Sequence, residues 1–306
     1  MSDAVIQLRG VSKRFATRRA ETLALDDVSF EVQRGDVFGL LGANGAGKTT
    51  AMRCILGLTH ISGGSLQVLG RERPSRHELF ARTAYLPEEP QLFIGATGRE
   101  HLAYFGRLSA LDGARLQTRL DETLRLVELN DAADRRIGTY SKGMKQRLGI
   151  AAAILAEPEI IFLDEPTRGL DPVGSKRVRD LLANLAAGGA TLFINSHLLG
   201  EVERLCNRVG ILDKGRVRAA GKLADLLGEN SLLAVRFALP GEPGQELAGA
   251  ERADGGLWKT TVPDTAALAA LSEKIAAAGG RVVSAQAERI ALEDYFIRAI
   301  GREEQA

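Results

Sequence analysis

An α/β fold on a mainly parallel sheet is predicted by three observations. Residues 37–41, 160–163 and 191–195 are short continuous apolar runs, the pattern of strands buried on both faces. Each is followed by a loop or helical pattern, as parallel strands require. The first runs directly into Gly42-Ala43-Asn44-Gly45-Ala46-Gly47-Lys48-Thr49, which reads G-x-x-x-x-G-K-T. At 306 residues the chain also exceeds the usual size of one hydrophobic core, so two domains are expected.

Taken in chain order, Val5-Ile6-Gln7-Leu8 and Val28-Ser29-Phe30-Glu31-Val32 alternate like half-buried strands. Ser65-Leu66-Gln67-Val68-Leu69 does the same after the Gly63-Gly64 turn, so an antiparallel β portion comes early. Residues from about 95 to 157 are helical in pattern. Thr97-Gly98-Arg99-Glu100 forms a capping box, and Leu102, Phe105 and Leu108 are expected on one face of the helix it opens. Leu116, Leu120, Leu124 and Val127 mark a second amphipathic helix, making this a helical insertion in the α/β core.

Composition shifts near Gly228. An extended run over 232–239, a Pro/Gly-rich loop over 240–244 and a strand around 258–262 follow. An alanine-rich helix over 265–278 and a strand at Val282-Val283 complete a small α+β domain. The expected domains are therefore 1–227 and 228–306.

Forty basic against thirty-nine acidic residues leave a net charge of +1, which argues against a general nucleic-acid binder. Cys54 and Cys206 follow no metal-ligand spacing and read as buried packing residues of a reduced setting. No basic start followed by an apolar core opens the chain, so a signal peptide is not expected. No apolar run approaches the ~20 residues that span a bilayer, so work at a membrane would require docking on another protein.

The glycine-rich stretch carries phosphate chemistry. Glycines let backbone N–H groups curl around phosphates, and the helix that follows points its positive N-terminus at the same anion. Lys48 would neutralise the β- and γ-phosphates, and the Thr49 hydroxyl would ligate Mg²⁺. The apolar run Ile160-Ile161-Phe162-Leu163 ends in Asp164-Glu165. Asp164 is thereby expected beside the metal, and Glu165 is placed to polarise an attacking water as general base. Between the two lies Tyr140-Ser141-Lys142-Gly143-Met144-Lys145-Gln146-Arg147, a helix start.

In this order the segments resemble the nucleotide-binding subunit of ATP-binding-cassette transporters, over roughly residues 1–225. The resemblance is to the drug- or polysaccharide-exporter type. It implies a P-loop ATPase cassette with a parallel core sheet, an antiparallel β subdomain and a helical subdomain. Gly42, Asn44, Gly45, Gly47, Lys48, Thr49 and Thr50 would hold ATP. Residues 140–147 look like the signature motif, whose Ser141 and Gly143 positions contact the γ-phosphate of ATP held by the opposite subunit. Lys142 and Met144 depart from the commonest form, which has Gly and Gln.

Phe15 resembles the aromatic residue that stacks on adenine, the alternative being a core Phe. Gly169-Leu170-Asp171 resembles the loop that communicates across the dimer, and His197 the switch histidine that senses the γ-phosphate. Glu88 stands where the family usually has a glutamine linking Mg²⁺ to the membrane partner. It keeps an oxygen ligand but adds negative charge. Leu292-Glu293-Asp294-Tyr295-Phe296 is similar to the tail of exporter subunits. There the extension supports assembly or regulation, and a solubilising cap is the alternative.

The resemblance implies an ATPase using ATP and Mg²⁺, working as a head-to-tail homodimer that drives a separate transmembrane permease. It would sit in the cytoplasm, on the inner face of the membrane through that partner. The alternative is a soluble cassette ATPase of DNA repair or translation, whose usual second cassette, coiled coils or zinc-binding cysteines are not seen here. A non-catalytic binding module conflicts with intact Lys48 and Glu165.

Overall fold

The computed structural model describes residues 3–16, 21–72, 74–228, 232–244, 247, 249–288 and 291–301. The chain divides into two compact units, Met1–Lys222 and Leu223–Ala306. The boundary expected near Gly228 falls at the C-terminal end of the short helix that opens the second unit.

The first unit begins with β1 (Ala4–Ala16), β2 (Glu21–Gln33), β3 (Val37–Leu41), α1 (Lys48–Ile55), β4 (Gly63–Val68), β5 (Arg71–Glu72), α2 (Arg76–Phe80) and β6 (Thr83–Leu86). It continues with α3 (Gly98–Leu108), α4 (Gly113–Leu126), α5 (Lys142–Ile154), β7 (Ile160–Asp164), α6 (Pro172–Ala187), β8 (Thr191–Ser196), α7 (Leu199–Leu205), β9 (Arg208–Asp213) and β10 (Arg216–Lys222).

Two sheets result. An antiparallel sheet of order β2-β1-β4-β5 holds the alternating early strands. In β2, Val28, Phe30 and Val32 are buried, with Ser29 exposed between them. A six-stranded sheet of order β10-β9-β3-β8-β7-β6 is parallel throughout except for the β9–β10 hairpin. Its central strands β3 and β8 are buried at every residue, and β7 at every residue before Asp164, as the continuous apolar runs predict. Phe30 of β2 stacks on Phe38 of β3 at 5.1 Å between ring centroids and Phe38 on Phe193 of β8 at 5.3 Å, while Phe193 meets Phe162 of β7 at 5.4 Å with the rings tilted by 42°. This row of rings joins the two sheets into one core.

The helical insertion is α3, α4 and α5. Thr97 and Glu100 close the expected capping box on α3. Leu116, Leu120, Leu124 and Val127 are all buried along and just beyond α4. One expectation fails: Leu102 is buried, but Leu108 is 67% exposed. Six residues rotate an α-helix by 600°, which leaves Leu108 roughly 120° from Leu102 around the axis.

The second unit comprises α8 (Leu223–Gly228), β11 (Leu232–Ala238), β12 (Glu251–Ala253), β13 (Leu257–Val262), α9 (Thr265–Ala277), β14 (Arg281–Glu288) and α10 (Leu292–Gly301). Its antiparallel sheet has the order β12-β13-β11-β14. Val235, Phe237, Leu247, Trp258 and Ile275 form a separate small core.

Candidate functional site

The parallel register sets the site. Leu41 pairs with Ser196 across β3–β8, and Asp164 pairs with Asn195 across β7–β8. The loops that leave these strands at their C-terminal ends therefore emerge side by side, at the edge where open α/β sheets place ligands.

After β3 the chain turns through Gly42 to Gly47. A Cβ on Gly42 would lie 2.3 Å from the Leu212 carbonyl oxygen, so only glycine fits there. Gly47 adopts φ 107° and caps α1 directly ahead of Lys48. The Lys48 ammonium curls back over the loop, donating to the carbonyls of Gly42 at 2.7 Å and Ala43 at 3.2 Å. Burial pushes its pKa down, against the opposing pull of Glu165 and Asp164. Asn44, Gly45 and Thr49 are exposed and Thr50 is half-buried on the same loop and first helical turn, open to a ligand.

Asp164 is half-buried at the end of β7. Burial raises its pKa. Hydrogen bonds from Asn195 Nδ2 and the Tyr85 hydroxyl, each at 3.4 Å, and the charge of Lys48 oppose that shift, while the charge of Glu88 adds to it. Glu165 is buried and sits at φ 48°, a left-handed conformation that side chains rarely adopt. Its Oε1 lies 2.7 Å from His197 Nδ1, and its Oε2 accepts from the Ser196 hydroxyl at 3.4 Å. Lys48, Asp164, Glu165 and His197 are thus one cluster.

Glu88 stands to the side of it. Its carboxylate is engaged by the Arg168 guanidinium, both side chains being exposed. Phe15 is 43% exposed on the β1–β2 hairpin, opposite Thr22, so it is no core residue. Lys13 Nζ lies 4.7 Å from its ring centroid.

Ser141 and Gly143 are placed elsewhere. Ser141 caps α5, accepting from the Met144 N–H at 3.2 Å. With Lys142 and Gly143 it lines a cavity of about 450 Å³ whose other wall is Gly169, Asp171 and Gly174. Gly169 is at φ 67°, and a Cβ there would lie 2.2 Å from Lys142 Nζ. The chain folds no phosphate-loop residue into that cavity.

Sequence reasoning did not single out Tyr85, Asn195, Ser196 or Arg168. Asn195 and Ser196 immediately precede His197, and Tyr85 is three residues ahead of Glu88. Their roles depend on strand register, which no local pattern carries. Cys54 and Cys206 are buried as expected, and burial pushes the Cys54 thiol up to about 11, which makes it inert.

Among the described residues no three His, Cys, Asp or Glu side chains form a metal cage. The Thr49 hydroxyl and Asp164 carboxylate are hard oxygen donors beside a phosphate loop. They suit a Mg²⁺ that brings its remaining ligands with the nucleotide.

Comparison with known proteins agrees with this arrangement. Residues 25–168 match the family model described as ABC transporter. The chain is 37% identical to an uncharacterised ABC transporter ATP-binding protein of Nostoc sp. (strain PCC 7120), over 97% of this chain and 89% of that one. It is also 37% identical to Nod factor export ATP-binding protein I of Cupriavidus pinatubonensis, over 73% of this chain and 68% of the relative. A solved ATP-binding subunit of an ABC transporter superposes with a TM-score of 0.65 at 32% identity, covering 74% of this chain and 92% of that structure.

Proposed function

The chain belongs to the family of ABC transporter ATP-binding proteins, and on that premise we propose that it powers export through a separate membrane permease. It does so as an ATP-bound homodimer. Binding and hydrolysis of ATP are its activity. The observation that carries the dimer is the separation of Lys48, Asp164, Glu165 and His197 from Ser141 and Gly143, two complementary half-sites on one chain.

The buried Lys48 ammonium hydrogen-bonds to the carbonyls of Gly42 and Ala43, so a phosphate that takes their place offsets its desolvation with an opposite charge. Gly42, Asn44, Gly45, Gly47 and Thr50 add the N–H groups and open backbone of a phosphate cradle. Thr49 and Asp164 would hold Mg²⁺, which when bound neutralises charge on the phosphates. Glu88 keeps an oxygen for the same purpose once it leaves Arg168.

Glu165 accepts the proton of the attacking water, and His197, 2.7 Å from its carboxylate, orients it and senses the γ-phosphate. Phe15 offers its exposed face to adenine. Head to tail, the N–H groups at the start of α5, at Ser141 and Gly143, meet the γ-phosphate held by the partner's loop. ATP then stabilises the closed dimer by mass action, and hydrolysis removes the contacts that close it.

Export as the direction is supported by the Nod factor export relative. No helix among the described residues is long and apolar enough to cross a membrane. Attachment at the cytoplasmic face would then run through the permease, gripping the surface near Glu88. The soluble DNA-repair or translation reading has no support from these relatives, which are transporter proteins by name.

Glu165→Gln tests the arrangement. With saturating MgATP it should sediment as a dimer while hydrolysis falls at least about 100-fold, the scale of a lost general base. A Glu165→Gln chain that stays monomeric with ATP bound overturns the sandwich.

A further inference from the structure

We propose that Glu201 is a positioning residue for ATP hydrolysis, tying together the segments behind Glu165 and His197 so that the two stay in register. The proposal rests on the reading of Glu165 as general base.

Glu165 needs restraint from outside, because φ 48° is an unfavourable conformation for a residue with a side chain. Part of that restraint is backbone. Its N–H donates to the Asn195 carbonyl at 2.9 Å, and its own carbonyl accepts from the Arg168 N–H at 3.1 Å. The other part is one carboxylate. Two residues past Glu165, the buried Thr167 hydroxyl donates to Glu201 Oε2. Glu201 lies in the first turn of α7, four residues past His197. Its second oxygen, Oε1, accepts from Arg179 Nη1 of α6 at 3.1 Å.

A single side chain therefore joins the exit of β7, the exit of β8 and helix α6. The Glu201 and Arg179 side chains are only 18% and 20% exposed, and Pro166, Ser196 and Glu201 line the same small cavity. Screening by water is weak there, so the pair is not one of the exposed ion pairs that contribute little. The carboxylate is also the group the geometry calls for. It accepts on both oxygens from donors on two sides, whereas an amide would turn an NH₂ toward one of them.

An acidic residue in a first helical turn also favours the helix dipole. That purely structural role would be unaffected by Thr167, so Thr167 separates the two. Thr167→Val, Thr167→Ser and Glu165→Gln are made in the full chain. Thr167→Val removes the hydroxyl and should lower kcat about tenfold with KM for ATP within about twofold, the signature of a lost transition-state contribution. Thr167→Ser restores the hydroxyl and should bring kcat back to within about twofold. In a Glu165→Gln background, Thr167→Val should cost nothing further and leave the MgATP-driven dimer intact.

A rise in KM matching the fall in kcat, no rescue by serine, or losses that add to those of Glu165→Gln would each overturn the proposal. Hydrolysis that survives Glu165→Gln by itself is a different result, which removes the general-base reading beneath it.

Discussion

Asp164 shows what the site costs the fold at the scale of one residue. Burial raises its carboxyl above the ordinary value of 3.8. A carboxyl raised on folding contributes stability below that unfolded value, and the contribution is lost as pH climbs through the folded one. Above the unfolded value of 3.8 the desolvated Asp164 carboxyl is therefore a destabilising group. Asp164→Asn should raise the melting temperature of the nucleotide-free protein by a few degrees while abolishing Mg²⁺-dependent hydrolysis, a trade of stability against activity. Calorimetry that finds the melting temperature unchanged or lower contradicts this account. Lys48 has the opposite sign. Its lowered pKa means the unfolded chain binds more protons between the folded value and 10.5, so stability rises with pH across that window. Lys48, Asp164 and Glu165 are legible in the sequence because a glycine pattern and a strand-end carboxylate are local signals. Tyr85, Asn195, Thr167 and Glu201 are not, because each matters through a partner on another strand or helix.

Elements were legible where their periodicity is self-contained. Helix α3 is the clearest, since Thr97 and Glu100 satisfy each other's backbone donors within four residues. Thr97→Ala should cost about 1 kcal/mol, appearing as faster amide exchange across 98–108. Exchange unchanged there means that packing of Leu102 against the insertion, not the cap, holds the helix. Leu108 marks the limit of such reading, since i+3 steps drift around a helix of 3.6 residues per turn. Strand β9 escaped notice because Arg208, Gly210 and Asp213 interrupt its apolar residues, though Val209, Ile211 and Leu212 are wholly buried. Strand β10 (Arg-Val-Arg-Ala-Ala-Gly-Lys) has almost no strand propensity of its own and exists through its ladder with β9. In the second unit, the three-residue β12 is likewise a strand because β13 pairs with it.

Across the whole molecule the decisive fact is that, among the described residues, each compact unit has a core of its own. The first spans both sheets through the Phe30–Phe38–Phe193–Phe162 row, and the second is a handful of residues around Phe237 and Trp258. Small cores carry little stability, so the second unit should unfold at lower denaturant than the first. Every residue proposed to touch ATP, from Phe15 to His197, belongs to the first unit. Ligand binding stabilises only what it binds, by about 2.7 kcal/mol at 100 times Kd. Trp258 is the sole tryptophan of the chain and is 9% exposed inside the second core, so its fluorescence isolates that unit. In guanidinium, MgATP should move the far-UV circular dichroism midpoint upward and leave the Trp258 midpoint where it was. The two probes should also disagree without nucleotide, as two independent transitions require. A Trp258 midpoint that shifts in step with the dichroism signal means the two units unfold as one, and nucleotide binding would then be felt in the C-terminal core.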